Sequence, residues 1–162
     1  MGVPYPLPLE LGQADFLSVV RNAPLVSIDL VIKNHRGEIL LGLRRNQPAR
    51  GFWFVPGGRI HKGQSIETAF TAIANREIGI SADISGAVFL GVYEHFYDTN
   101  FFENDGFGTH FVTLGYQIML DDIDPQRLPY DQHDLWKWFA LSDLKINPDV
   151  HSNTKRYFNG CC

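Results

Sequence analysis

Cysteine is almost absent from this chain of 162 residues: the two it has, Cys161 and Cys162, stand side by side at the end of the sequence. Adjacent thiols cannot close a useful loop or supply the spaced pairs of a zinc site, so a disulfide framework and a zinc ribbon are excluded. A reducing, cytoplasmic setting is the expectation that follows. Also missing is any apolar run approaching the roughly 20 residues that a membrane span needs. The opening MGVPYPLPLELG has neither a basic n-region nor an apolar h-region. Met1-Gly2 opens like a myristoylation site, but Pro6 stands where Ser or Thr is required. Lys and Arg form no cluster, and 14 of them against 18 Asp and Glu leave a net charge of −4. That balance argues against sequence-independent binding of nucleic acid, while a polyanion could still be held by a few placed arginines. What the chain does have is core material, with 44% hydrophobic and 13% aromatic residues. One soluble, unanchored domain over residues 1–162 is expected, burying about 68–70% of its unfolded surface without a covalent or metal staple.

Residues 1–12 are rich in proline and are expected to be extended, and residues 13–21 place Phe16, Leu17, Val19 and Val20 on one helical face, with Pro24 closing the helix. Residues 25–33 (LVSIDLVIK) read as a strand, Asn34-His35-Arg36-Gly37 as a turn, and residues 38–43 as the returning strand of a hairpin. After a loop at 46–51 and the apolar run 52–55 comes Pro56-Gly57-Gly58, read as a glycine turn feeding a helix over 65–77 that Ser65 caps and Gly79 stops. Strands are expected at 87–96 and 110–120, joined by the loop DTNFFENDGFG, whose length marks it as functional or mobile. A short strand over 135–139, a helix start at 141–144 and a last helix over 150–158 complete the pattern of α/β layers.

The most informative stretch is GGRIHKGQSIETAFTAIANREIGI, residues 57–80. A glycine pair leaves backbone groups open to a ligand, and the far end of the helix offers Glu77, which could help hold a magnesium ion with phosphates and waters completing the octahedron. A strand-loop-helix turn carrying a solvated glutamate accounts for the same spacing, and from spacing alone it is the favoured reading. Asp29 interrupts an apolar strand, where an unpaired buried carboxylate is costly, so a structural salt bridge competes with a functional role there. His35, His61 and His151 stand in no constellation and receive no role.

Counted from Gly58, this stretch resembles the box of the Nudix hydrolases, G-x5-E-x7-R-E-U-x-E-E-x-G-U. It keeps Gly58, Glu77, Gly79 and Ile80 but has Gln64, Ala72-Ile73 and Arg76 in place of the other signature residues. Multi-metal activation of water needs several carboxylates, so the loss of three glutamates favours a single ion. A similar departure, and similarity across residues 13–158, is found in the GDP-mannose mannosyl hydrolases of that superfamily, carried by QADFLSVVRNAPLVSIDL, RGEILLGLRRNQPARGFWFVPGGR, GVYEHFYD and DQHD.

The resemblance implies a Nudix fold, an α/β/α sandwich with a mixed central β-sheet. It also implies hydrolysis of GDP-mannose, with GDP-glucose as a second candidate, to GDP and free sugar by substitution at the anomeric carbon. Glu77, the carbonyl of Gly57 and the side chain of Gln132 would hold one Mg²⁺, for which Mn²⁺ could stand in. His133 would be the general base, Arg44 and Arg59 would grip phosphate oxygens, and Asp29 and His95 would contact sugar and diphosphate. Plainer roles for the arginines are a hairpin-end surface charge at Arg44 and a salt bridge at Arg59; for His133 the plainer role is a solvated loop histidine. Phe111 stands where the related enzymes have a tyrosine, with His110 as a candidate substitute for the lost hydroxyl. The aromatics Phe96, Tyr97, Phe101, Phe102 and Phe107 could stack on guanine or anchor the loop. A homodimer is implied in which the 13–24 region contributes to the interface. Attack at phosphorus and a non-catalytic nucleotide-sugar sensor are the rival functions.

Overall fold

The computed structural model describes residues 11–103 and 106–159. Most of the Pro-rich opening, the centre of the long loop and both cysteines lie outside the described residues. The elements run α1 (Gln13–Asn22), β1 (Leu25–Lys33), β2 (Ile39–Arg44), β3 (Trp53–Phe54), β4 (Gly57–Arg59), α2 (Ile66–Ile78), β5 (Val88–Tyr97), β6 (Thr109–Met119), β7 (His133–Phe139), α3 (Leu141–Ile146) and α4 (Ser152–Arg156).

β1 is the spine, parallel to β6 from Leu25↔Phe111 to Lys33↔Met119, with β5 antiparallel on the far side of β6. The sheet is therefore mixed, as an α/β sandwich of this kind requires. Alternation along β1 sends Ile28, Leu30 and Ile32 to one face, where they pack with Ala69, Phe70, Ile73 and Ala74 of α2. Val31 faces the opposite way, into a second cluster with Leu41, Phe139, Leu144 and Tyr157. Being buried on both faces, β1 is apolar almost throughout, and each fully buried Leu, Ile or Phe contributes about 1.5–3 kcal/mol.

The expected β1–β2 hairpin holds only at its base. Gly37 N–H donates to Asn34 O at 2.9 Å, but Lys33↔Ile39 is the single paired register before the strands part. β1 then takes β4 as its neighbour and β2 takes β3 and β7, leaving a V between the two groups of strands. Here the reading of Pro56-Gly57-Gly58 as a turn is corrected. Gly57–Arg59 is a strand, registered Asp29↔Gly57 and Ser27↔Arg59. Glycine is required at Gly57 by close approach: a Cβ there would fall 2.3 Å from Asp29 Oδ1.

α2 begins and ends where its caps dictate. The Ser65 hydroxyl accepts from Thr68 N–H, and Gly79 adopts the left-handed region at φ 70°. α1 buries Val20 and half-buries Phe16 and Leu17. Its apolar face is partly used within the chain, since Phe16 packs on Phe102 at 5.9 Å between centroids. The last helix is shorter than expected, five residues from Ser152 to Arg156, capped by His151 Nδ1 accepting from Asn153 N–H at 3.1 Å.

Candidate functional site

Glu77 is the last but one residue of α2, and it is only 3% exposed. Burial raises its pKa, while Arg76, whose Nε donates to Glu77 Oε1 at 2.9 Å, lowers it. Its other oxygen, Oε2, faces His133 Nδ1 at 3.9 Å. This is the glutamate that spacing alone treated as solvated; the structure buries it.

His133 is the first residue of β7, 2% exposed, so the loop placement is corrected too. The strand starts two residues before the apolar run because His133 pairs with Arg44 across a bulge. Its ring lies against Trp136 at 4.3 Å and over Gly42, where a Cβ would fall 2.3 Å from Cδ2. Burial first, and then the charge of Arg44, push its pKa down to about 3. The imidazole is therefore neutral, its contact with Glu77 is not an ion pair, and Nε2 is buried without a partner among the described residues.

Glu77, Gln132 and His133 line one small cavity with Arg76, Pro129 and Asp131. Gly57 lies outside that lining, on β4. Pro56 O accepts from Leu30 N–H and Ile60 N–H donates to Val26 O, so alternation along the antiparallel pair turns the Gly57 carbonyl away from β1. A carboxylate, an amide side chain and a ladder-free carbonyl are oxygen donors of the kind a hard cation takes. Among the described residues no three His, Cys, Asp or Glu converge as a metal cluster.

On the opposite face of β1 stands a second group. Asp29, 7% exposed, accepts from the Tyr157 hydroxyl at 2.6 Å, and His95 Nδ1 lies 3.9 Å from the same carboxylate oxygen. The expected alternative of a salt bridge is not what holds it. Burial lifts Asp29 to about 7 against the lowering effects of Tyr157 and Arg44. His95 is pushed down to about 4, chiefly by burial, and is neutral; its Nε2 is buried without a partner among the described residues.

Arg44 is the last residue of β2, at the end away from the Lys33↔Ile39 pairing, and its charge reaches Asp29, Glu77 and His133 alike. Its Nε donates to Pro48 O at 2.9 Å, which anchors the fork at one edge. The Arg59 guanidinium stacks 4.1 Å from the centroid of Phe16 in α1, so its partner is a ring face, and it feels the charge of Arg76. Phe111 pairs with His95 across β5 and β6, and His110 stacks on Phe96 at 4.3 Å, 3.7 Å from Glu94. The loop aromatics divide: Phe102 packs on Phe16, Phe107 lies under Arg21 at 4.8 Å, and Tyr97 is among His95 and His151, whereas Phe96 and Phe101 are exposed.

Sequence reasoning missed Tyr157, which lies 128 positions from the carboxylate it holds. It also missed Gly42, whose lack of a side chain admits the His133 ring, and gave Arg76 no role. His151, set aside in the sequence, caps α4 and packs against Phe54 at 5.3 Å.

The NUDIX domain family model matches residues 23–159. The low-salt glycan biosynthesis protein Agl8 of Haloferax volcanii is 44% identical over 134 residues, covering 82% of this chain and 81% of that protein. Among solved structures, a MutT NUDIX hydrolase from Burkholderia pseudomallei is 26% identical with a TM-score of 0.67, covering 84% of this chain and 96% of that one. The MutT protein of Methanosarcina mazei Go1 shares the fold at 19% identity, with a TM-score of 0.64 over 85% and 92% of the two chains. With the match spanning nearly the whole described fold, the chain belongs to the Nudix hydrolase superfamily.

Proposed function

We propose that this Nudix hydrolase, a single domain over residues 1–162, hydrolyses GDP-mannose, and as a second candidate GDP-glucose, to GDP and free sugar by attack of water on the anomeric carbon. The observation that carries the proposal is the pairing of one buried carboxylate, Glu77, with a neutral buried imidazole, His133, on a cavity shared with Gln132. One buried carboxylate, with only the exposed Asp131 beside it on the cavity, suits one divalent ion, which is too little for a multi-metal attack on phosphorus and enough to offset charge on a leaving diphosphate. Similarity to a protein named for glycan biosynthesis supports a nucleotide sugar as substrate class.

Mg²⁺, with Mn²⁺ as a substitute, would be held by Glu77, Gln132 and the Gly57 carbonyl and would neutralise negative charge as GDP departs. Arg44 and Arg59 bind phosphate oxygens, Arg59 by leaving the Phe16 ring. His133 accepts the proton of the attacking water. Its low pKa in the free protein comes partly from Arg44, and a bound diphosphate offsets that cation and raises the proton affinity of the imidazole. Asp29 lies on the sugar side with His95, and positive character developing at the anomeric carbon favours the ionised carboxylate over the protonated form. The protein works in the cytoplasm as a homodimer. Val88, Phe89, Val92 and Phe96 of the edge strand β5 are exposed apolar side chains that a second copy could cover, and light scattering should give twice the 18.4 kDa chain mass.

Following GDP-mannose with Mg²⁺ by proton NMR tests the reaction. GDP and mannose appearing together, the sugar first as the inverted anomer, is the expected result; GMP with mannose 1-phosphate would mean attack at phosphorus, and tight binding without products a sensor.

A further inference from the structure

In the box that this sequence resembles, the position of Arg76 carries a carboxylate; here it carries a permanent cation. Neighbouring residues on a helix do not face each other, yet Arg76 Nε reaches round to Glu77 Oε1 at 2.9 Å. Gly58 on β4 makes the passage, since a Cβ there would fall 2.2 Å from Arg76 Nη2 and 3.1 Å from Ile73 Cγ1. The arginine is not sealed in: its side chain is 46% exposed and borders the cavity that Glu77, Gln132 and His133 line. The carboxylate in the free protein thus has one oxygen on a guanidinium and the other turned towards a neutral imidazole.

We propose that Arg76 is an internal competitor of the divalent cation for Glu77, holding the carboxylate in the free protein and giving up Oε1 when the ion binds. The proposal rests on the reading of Glu77 as a metal ligand. Glutamate and arginine together carry no net charge, and although Asp131 adds a negative charge to the same cavity, an incoming ion meets a like charge on the very carboxylate it needs. Two like charges a few ångströms apart in a half-exposed site weaken binding by about tenfold or more. A pair at a solvent-accessible edge can exchange partners, because the guanidinium regains water as it leaves.

The test is titration of Mn²⁺ alone into the metal-free full chain at pH 7.5, with free ion counted by electron paramagnetic resonance. Arg76→Ala and Arg76→Gln should bind Mn²⁺ about tenfold more tightly than the wild type, with Arg76→Lys between them and the wild type. Equal or weaker binding in Arg76→Ala and Arg76→Gln, with binding lost in Glu77→Gln, would overturn the proposal alone and make Arg76 a support for the carboxylate. Unchanged binding in Glu77→Gln would overturn the metal-ligand reading and this proposal with it. Thermal unfolding gives a second readout in the same proteins. Without metal Arg76→Ala should melt below the wild type, because a buried carboxylate has lost its cation, and added Mn²⁺ should raise its Tm by more than it raises that of the wild type. Equal increments would contradict competition.

Discussion

The two faces of β1 each bury one carboxylate, and they treat it differently. Glu77, on the α2 side, is met by a cation that reaches solvent. Asp29, on the other side, is met by the phenol of Tyr157 and by a neutral histidine. Arg44 stands between them and is felt by both. A carboxylate neutralised by a half-exposed cation would be able to exchange that cation for another, as proposed above, whereas one held by a phenol at about 7 is prepared to gain or lose a proton or to meet a positive centre. In the reaction proposed above, one side would neutralise charge on a leaving group and the other would stabilise an electron-poor carbon.

The largest effect that would break this contrast is expected at the base. His133→Gln should lower kcat by about 10²–10⁴-fold while GDP affinity is kept, and an unchanged kcat would remove His133 from the mechanism. Next in size is the pH dependence of stability set by Asp29. Its folded pKa, about 7, lies above the ordinary aspartate value of 3.8, so its stabilisation is complete below about 4 and is lost as pH rises through 7. Asp29→Asn keeps an acceptor for Tyr157 and removes the slope. In denaturant titrations its advantage over the wild type should grow from pH 5 to pH 7 and level off near roughly 4 kcal/mol. His95 and His133 act in the opposite sense, their stabilisation being present above 6.5 and lost as pH falls towards about 4 and about 3. Because both variants of the comparison retain them, they cancel in the difference.

Smaller effects sharpen the packing behind the site. Gly42→Ala drives a methyl group into the His133 ring and should cost about 1–3 kcal/mol together with much of the activity, checked by unfolding and kinetics on one preparation. A fully active Gly42→Ala would show that the ring is free to move. Tyr157→Phe removes the hydrogen bond that lowers the Asp29 pKa and should cost about 1–2 kcal/mol. The alkaline shift of the pH–rate profile is the more diagnostic readout, since a purely structural tyrosine would leave the profile in place.

Alternation and caps made much of this fold legible. The strand over residues 25–33 has the bounds of β1, and Ser65 and Gly79 mark the ends of α2. Gly57-Gly58 was misleading because glycine in a sequence signals a turn, while here it permits a strand to run against Asp29. The parting of β1 and β2 was hidden for a related reason: a turn motif reports where a hairpin closes and nothing about how far its strands stay paired. The resemblance brought Glu77, Gln132 and His133 to one cavity and Asp29 to His95, while the stacking of Arg59 on Phe16 of α1 had no signal in the sequence. Tyr157 and the reach of Arg76 are long-range or geometric facts with no local pattern to announce them.

The central claim is that bond cleavage occurs at the sugar carbon. Hydrolysis of GDP-mannose with Mg²⁺ in ¹⁸O-labelled water, followed by mass spectrometry of every product, tests it directly. The account predicts one ¹⁸O in the free mannose and none in GDP; label in GMP or in mannose phosphate would contradict it.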